Sequence, residues 1–376
     1  MINSKSLVNY LDSIGITFYA GVPDSVMEPF CTYLDKHKLD KSHIIASNEG
    51  SAIGLAVGNY LSTGNLPVVY MQNSGFGNAF NPLTSITNRS AYSIPILLFI
   101  GWRGSPGESD EPQHELMGDI IIDLLNLLDI KYEILSNNLT EGVQQIQKLY
   151  DLASSNLCPV SLLIRKGTFE KDTNNSFDSI YEISRESAIG VLMKGLPDYF
   201  FVSTTGKCSR EVFEFRVSNN QTHNKNFYCV GAMGHASAIA MGIAMNNPSR
   251  KVCVLDGDGA VLMQMGVLTT LGCGQLQNLL HVVLNNGAHE SVGGQRTLGF
   301  SVDLAAIAKG CGYKNVYTVT VFQDLIALIP LIRGINESCF IEIRIDNFSR
   351  EDLIRPTKTL IQLKKELMGS LLDSNL

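Results

Sequence analysis

The sequence predicts an α/β fold made of two doubly wound domains, each built on a parallel sheet. Three observations carry this expectation. Short Val/Ile/Leu/Phe-rich runs recur and end in glycine or small polar residues. Most are separated by segments long enough for a crossover helix, and one polar stretch beginning at Lys171 interrupts the series before it restarts.

In the first half the strand candidates are TFYAGVPDS from Thr17, HIIASNEG from His43, PVVYMQNSG from Pro67, IPILLFIGWRG from Ile94 and PVSLLIRKG from Pro159. Their near-continuous apolar character is that of strands covered on both faces, as parallel sheets require. KDTNNSFDSIYEISRES, from Lys171, lacks such runs and reads as a linker. A second series follows: DYFFVSTTGKCS, NFYCVGAMGHAS, KVCVLDGDG, NLLHVVLNNG, KNVYTV and CFIEIRID. The ending LIRPTKTLIQLKKELMGSLLDSNL reads as one amphipathic helix with a frayed tail. The expected domains are 1–175 and 185–376, since 376 residues exceed one ordinary core.

Composition narrows the class. A hydrophobic fraction of 45% with 17% charged residues describes a well-packed globular chain, and the net charge of -7 argues against a nucleic-acid partner. The start MINSKSLVNYLDSIGI has no signal-peptide pattern, and no window approaches ~20 uninterrupted apolar residues, so no membrane partner is expected and the reading is cytoplasmic. The eight cysteines are scattered, form no C-x-x-C pair and give no zinc spacing.

The chemistry concentrates where two of these runs stop. KVCVLDGDG ends in Gly257-Asp258-Gly259 and NLLHVVLNNG in Asn285-Asn286-Gly287, both at the carboxyl ends of strands, where open parallel sheets collect ligands. Either triplet alone reads more readily as a tight turn. Together, on strands joined by one crossover, a carboxylate, a neutral amide and a backbone carbonyl form half of a Mg2+ site, the remaining oxygens coming from phosphate and water. A diphosphate carrying its own metal is the expected ligand.

The segment GDGAVLMQMGVLTTLGCGQLQNLLHVVLNN resembles the binding motif of thiamine-diphosphate-dependent enzymes. GVPDS, SNEGSAIGLAVG, GWRGSPGESDEPQH, TTGKCSRE, GAMGHASAIAMGIA and NNGAHESVGGQ extend the likeness to the phosphonopyruvate decarboxylase group of that family, from Gly21 to about Phe300. The resemblance implies two doubly wound domains of the thiamine-diphosphate-binding type, the first binding the pyrimidine and the second the diphosphate and Mg2+. It further implies decarboxylation of a 2-keto acid, 3-phosphonopyruvate, to phosphonoacetaldehyde in 2-aminoethylphosphonate biosynthesis. Self-association is implied as well, with each cofactor held between the first domain of one subunit and the second of another.

Carried over by position, the resemblance makes Asp258, Asn286 and the carbonyl of Ala288 the metal ligands, with Asn285 as fallback if the register slips by one. Gly257 and Gly259 would let the backbone approach the diphosphate, while Val261 and Leu262 pack in the core. Glu49 would be the acid that hydrogen-bonds the aminopyrimidine, a task suited to a carboxyl whose pKa is raised by partial burial. SNEG also resembles a helix start, where a Glu is favoured by the helix dipole. Gly231 and Met233 in GAMG match the cofactor-shaping loop, although a lone Met is more often core filler.

For proton transfer the candidates are Asp24, which could equally cap a turn or helix, and His114, which taken alone reads more readily as an exposed loop histidine. For the anionic tail of the substrate they are Arg103 and Lys207, with Ser25, His235, His289 and Gln295 as hydrogen-bond partners. Any single Arg or Lys could instead be a solvated surface charge. Arg296 stands in GGQRT where related sequences are expected to carry proline. Two alternatives remain at this point. One is a sulfopyruvate decarboxylase or another 2-keto acid decarboxylase, and the other is a non-catalytic Mg-nucleotide-binding α/β protein. Neither half carries the G-x-x-x-x-G-K-[ST] loop of the commonest nucleotide-binding fold.

Overall fold

The computed structural model describes residues 1–38, 41–171, 179–350 and 352–372. They fall into two compact units, one within 1–176 together with 289–296, the other within 177–288 together with 297–376. Part of the polar stretch from Lys171, residues 172–178, lies outside the described residues.

The first unit is a six-stranded parallel sheet of β1 (Tyr19–Gly21), β2 (His43–Ile45), β3 (Val68–Gln72), β4 (Leu97–Gly101), β5 (Lys131–Ile134) and β6 (Val160–Ile164), in the order β2-β1-β3-β4-β6-β5. Strands β3, β4 and β6 are buried along most of their length, which is why their sequences are unbroken apolar runs. β5, KYEI, is the strand that the apolar pattern does not announce. It lies at the sheet edge and is largely half-exposed, so it carries Lys and Glu. One face of the sheet packs a core around Phe30, Tyr70 and Phe99, and the other a core around Phe76, Ile100 and Trp102.

The second unit repeats the plan with β7 (Phe200–Ser203), β8 (Asn226–Tyr228), β9 (Val252–Gly257), β10 (Leu279–Asn285), β13 (Asn315–Val319) and β14 (Cys339–Arg344), ordered β13-β14-β10-β9-β7-β8 and parallel throughout. Between β10 and β13 in the chain, β11 (Ala288–His289) and β12 (Gln295–Arg296) pair as a small separate sheet. The segment from β9 to β10 holds two short helices, Asp258–Met263 and Val267–Gly274, rather than the single crossover helix the sequence implies.

In both sheets the strand order reverses at the first strand: β2 and β3 flank β1, and β8 and β9 flank β7. Such switch points open a crevice at the strand ends where loops diverge. Asp24 follows β1, and Lys207 and Asp258 follow β7 and β9.

The C-terminal helix begins only at Leu360, because Thr359 closes a capping box there. Its hydroxyl accepts from Gln362 N at 3.2 Å, and Gln362 Oε1 accepts from Thr359 N at 2.9 Å. The expected frayed tail beyond 372 lies outside the described residues. No helix among the described residues is long and apolar enough to cross a membrane.

Candidate active site

In the second unit β9 and β10 are parallel neighbours with Gly257 opposite Leu284, so Asp258 and Asn286 leave adjacent strand ends. Asp258 opens the helix Asp258–Met263 and is 2% exposed. Burial pushes its carboxyl up to about 6, against hydrogen bonds from the Thr297 hydroxyl and nearby backbone N–H groups that hold it down. Asn286 is buried too, its Oδ1 accepting from Ala288 N at 3.1 Å.

A desolvated carboxylate, an amide oxygen and the Ala288 carbonyl on neighbouring loops suit a hard cation that brings its other ligands with it. Among the described residues no three His, Cys, Asp or Glu cluster as a complete metal cage. The donor set therefore fits Mg2+ held jointly with a diphosphate and does not fit a self-sufficient metal site.

The side chain of Asn285, the fallback ligand, is engaged by other groups. Its side chain is fully buried, donating to Gly299 O at 2.8 Å and to Glu342 Oε1 at 2.7 Å while accepting from Gly287 N at 3.1 Å. Space at the loop is exhausted: a Cβ on Gly299 would overlap the Asp258 and Asn285 side chains, and one on Gly287, at φ +65°, would overlap the Phe300 ring. At Gly257 the reverse holds, since a Cβ there meets nothing within 4 Å, which leaves that backbone open to a ligand. Val261 is buried and Leu262 partly buried in the core beside β9, as expected.

The loop after β8 is conformationally strained. Gly231, Ala232 and Gly234 have φ of +65°, +43° and +85°, and the non-glycine Ala232 in that region marks a site whose geometry is imposed by its surroundings. Met233 sits half-buried within it, and Gly231 N donates to Thr205 Oγ1 at 3.1 Å. His235 is exposed, with Nδ1 3.2 Å from Met233 O. Lys207 begins the helix Lys207–Ser218 and its Nζ donates to Ser349 Oγ at 2.5 Å.

In the first unit Glu49 is a helix-start residue and is also buried. It is the first residue of the helix Glu49–Thr63, whose N-cap Asn48 accepts from Ser51 N at 2.8 Å, and it is buried. Burial raises its pKa, partly offset by Asn78, whose Nδ2 donates to Oε2 at 2.7 Å. Gly75 abuts the carboxyl so closely that any Cβ there would overlap it.

Asp24, Ser25, Arg103 and His114 gather separately. Asp24 is fully buried. Its Oδ2 accepts from Val26 N at 2.9 Å and Met27 N at 3.3 Å, and its Oδ1 has no partner among the described residues. Desolvation lifts its pKa to about 6, with Arg103 opposing the rise. His114 is half-buried, its Nδ1 also without a partner among the described residues, and desolvation followed by Arg103 lowers its pKa.

Arg103 is paired within its own loop. Its fork is spent on Asp110 at 2.7 and 2.5 Å, leaving Nη1 to donate to Ser25 Oγ at 3.0 Å. Gln295, counted with this unit, is buried and donates to Thr32 Oγ1 at 3.0 Å, while His289 is half-buried and desolvation lowers its pKa to about 4. Thr297, Asn78 and Asp110 escape a reading of the sequence, because each meets its partner only through the fold or through a loop closing on itself.

The raised Asp24 carboxyl has a measurable consequence. Because folding lifts its pKa from 3.8 to about 6, the folded chain keeps this proton longer than the unfolded chain, and its contribution to stability falls as pH rises between those values. Asp24→Asn, which does not titrate, is therefore expected to exceed the wild type by about 3 kcal/mol above pH 7. The advantage should vanish below about pH 4, a comparison made by urea unfolding at both pH values.

Residues 2–125 match the N-terminal TPP binding domain of thiamine pyrophosphate enzymes, and residues 204–343 match their C-terminal TPP binding domain. Those matches, on two parallel α/β units, define a thiamine-diphosphate-dependent enzyme. Phosphonopyruvate decarboxylase of Streptomyces viridochromogenes is 35% identical, aligned over 96% of this chain and 92% of its own. That of Streptomyces hygroscopicus is 34% identical over 86% and 83%, and sulfopyruvate decarboxylase of Methanosarcina acetivorans is 27% identical over 79% and 80%. The chain belongs to the phosphonopyruvate decarboxylase family and is a carboxy-lyase of 2-keto acids.

Proposed function

We propose that this enzyme decarboxylates 3-phosphonopyruvate to phosphonoacetaldehyde and carbon dioxide, in the biosynthesis of 2-aminoethylphosphonate and related phosphonates. The single observation that carries the choice of substrate is the 35% identity to the Streptomyces viridochromogenes phosphonopyruvate decarboxylase along almost the full length of both chains. Arg103 and Ser25, hydrogen-bonded to each other, are proposed contacts of the anionic substrate tail.

Residues 1–175 are proposed as the pyrimidine-binding domain and 185–376 as the diphosphate- and Mg2+-binding domain. Asp258, Asn286 and the Ala288 carbonyl would hold Mg2+ there, with the Gly257–Gly259 backbone against the diphosphate and Gly231–Met233 against the rest of the cofactor. Bound thiamine diphosphate supplies the electron sink for the carbon–carbon bond that breaks. Glu49, whose pKa burial raises, would share a proton with the pyrimidine ring. Asp24, whose carboxyl burial lifts to about 6, and His114, whose pKa burial lowers, would handle the proton that replaces carbon dioxide. Lys207, His235, His289 and Gln295 are proposed contacts of the substrate.

The enzyme is proposed to self-associate, each cofactor being held by the first domain of one copy and the second domain of another. A cytoplasmic setting accords with eight cysteines that all remain free thiols.

Sulfopyruvate is the rival substrate, favoured by the relative from Methanosarcina acetivorans. The purified enzyme with thiamine diphosphate and Mg2+ is expected to show a higher kcat/KM for phosphonopyruvate than for sulfopyruvate. The reverse order would replace the substrate while leaving the reaction class intact.

A further inference from the structure

We infer that Glu342 is a positioning residue for the metal-binding loops, acting through Asn285; the inference rests on the reading of Asp258, Asn286 and Ala288 as Mg2+ ligands. Glu342 lies inside β14, in the run CFIEIRI, and is fully buried. A carboxylate there is an unexpected choice, because removing it from water is costly and an apolar side chain would pack without that penalty.

Its contacts show what it does. Oε1 accepts from Asn285 Nδ2 at 2.7 Å and from Arg344 Nε at 3.2 Å, and Oε2 accepts from Thr318 Oγ1 at 3.4 Å. Held in this way, the Asn285 amide reaches two further segments at once. Its Oδ1 accepts from Gly287 N at 3.1 Å, inside the loop that carries Asn286 and Ala288, and its Nδ2 donates to Gly299 O at 2.8 Å. Gly299 N in turn donates at 3.0 Å to Thr297 Oγ1, the hydroxyl bonded to the Asp258 carboxylate.

The other branch closes on the same loop. Arg344 Nη1 donates to Tyr181 Oη at 2.9 Å, the Tyr181 ring lies 5.1 Å from that of Phe300, and Phe300 covers Gly287. Glu342, Asn285, Gly287, Phe300, Tyr181 and Arg344 thus form a closed circuit around the β10 loop, and one amide ties that loop to the segment that orients Asp258. Turning the Asn285 amide over would place its NH2 against Gly287 N and its oxygen against Gly299 O. The acceptor on Glu342 selects the orientation that both loops require.

Loss of a group that orients metal ligands typically weakens metal binding about 10–100-fold. In full-length protein stripped with EDTA, the Mg2+ concentration that half-saturates the rise in melting temperature at fixed thiamine diphosphate should increase by about that factor in Glu342→Leu. In Glu342→Gln, which keeps an uncharged acceptor, the increase should be smaller but present, about threefold or more.

A purely structural role would instead lower the melting temperature of the metal-free protein and leave the Mg2+ midpoint unchanged. Wild-type midpoints in both variants would overturn the inference and leave the metal site standing. If Glu342→Leu does not fold, Glu342→Gln decides by the same midpoint. A wild-type protein indifferent to Mg2+ and thiamine diphosphate would overturn the metal-site reading, and the inference with it.

Discussion

Replacing Glu49 with glutamine is expected to lower kcat by about two to four orders of magnitude while leaving thiamine diphosphate bound, because the change removes a proton and almost nothing else. Glutamine keeps the length of the side chain, an oxygen for Asn78 Nδ2 and the fit against Gly75. It would lose the ability to exchange a proton with the pyrimidine ring that Glu49 is proposed to meet. Since burial already disfavours the charged form of Glu49, the neutral amide should not lower the melting temperature at pH 7. The check is steady-state turnover beside cofactor-induced thermal stabilisation on the same preparation. A kcat within tenfold of wild type would remove Glu49 from the chemistry.

Asp258→Ala should abolish activity by a different route. The buried carboxylate is the one charged donor in the proposed metal set, and without it Asn286 and a backbone carbonyl offer Mg2+ only neutral oxygens. The variant should therefore lose the stabilisation that Mg2+ and thiamine diphosphate confer together, about 2.7 kcal/mol when the ligand is present at 100 times its Kd. Scanning calorimetry with and without cofactor checks this, and an undiminished shift in Asp258→Ala would contradict the assignment.

These two variants also test the proposed assembly. Each is inactive alone, but random mixed dimers would place an intact Glu49 and an intact Asp258 on one cofactor in one site of every heterodimer, restoring about a quarter of wild-type turnover. Mixtures that stay inactive after dissociation and reassembly would count against a shared site.

Much of this architecture was legible in the sequence because strands covered on both faces must be apolar throughout and must stop at small polar residues. Gly257-Asp258 and Asn285-Asn286 stood out as such stops, and the parallel pairing of β9 with β10 sets them side by side. β5 was not legible, since an edge strand needs no unbroken apolar run, and KYEI resembles loop sequence. The start of the last helix was misplaced because Pro356 and the Thr359–Gln362 capping box, rather than apolar periodicity, determine it.

The groups that hold the site in place were the least visible. Asp110 lies seven residues from Arg103, yet a loop of small residues hides that they meet as an ion pair. Thr297 is 39 residues from Asp258 and Glu342 is 57 from Asn285, so only the fold brings either pair together. An isolated threonine after a glycine-rich turn, or one glutamate in a strand, carries no periodic signal.

The account depends above all on a divalent cation held by the loops after β9 and β10. Crystals grown with thiamine diphosphate and Mn2+ in place of Mg2+ should give an anomalous peak bonded to the Asp258 carboxylate, the Asn286 side-chain oxygen and the Ala288 carbonyl, with diphosphate and water supplying the remaining oxygens. Diphosphate bound with the metal at other residues, or a peak that avoids Asp258, would contradict it.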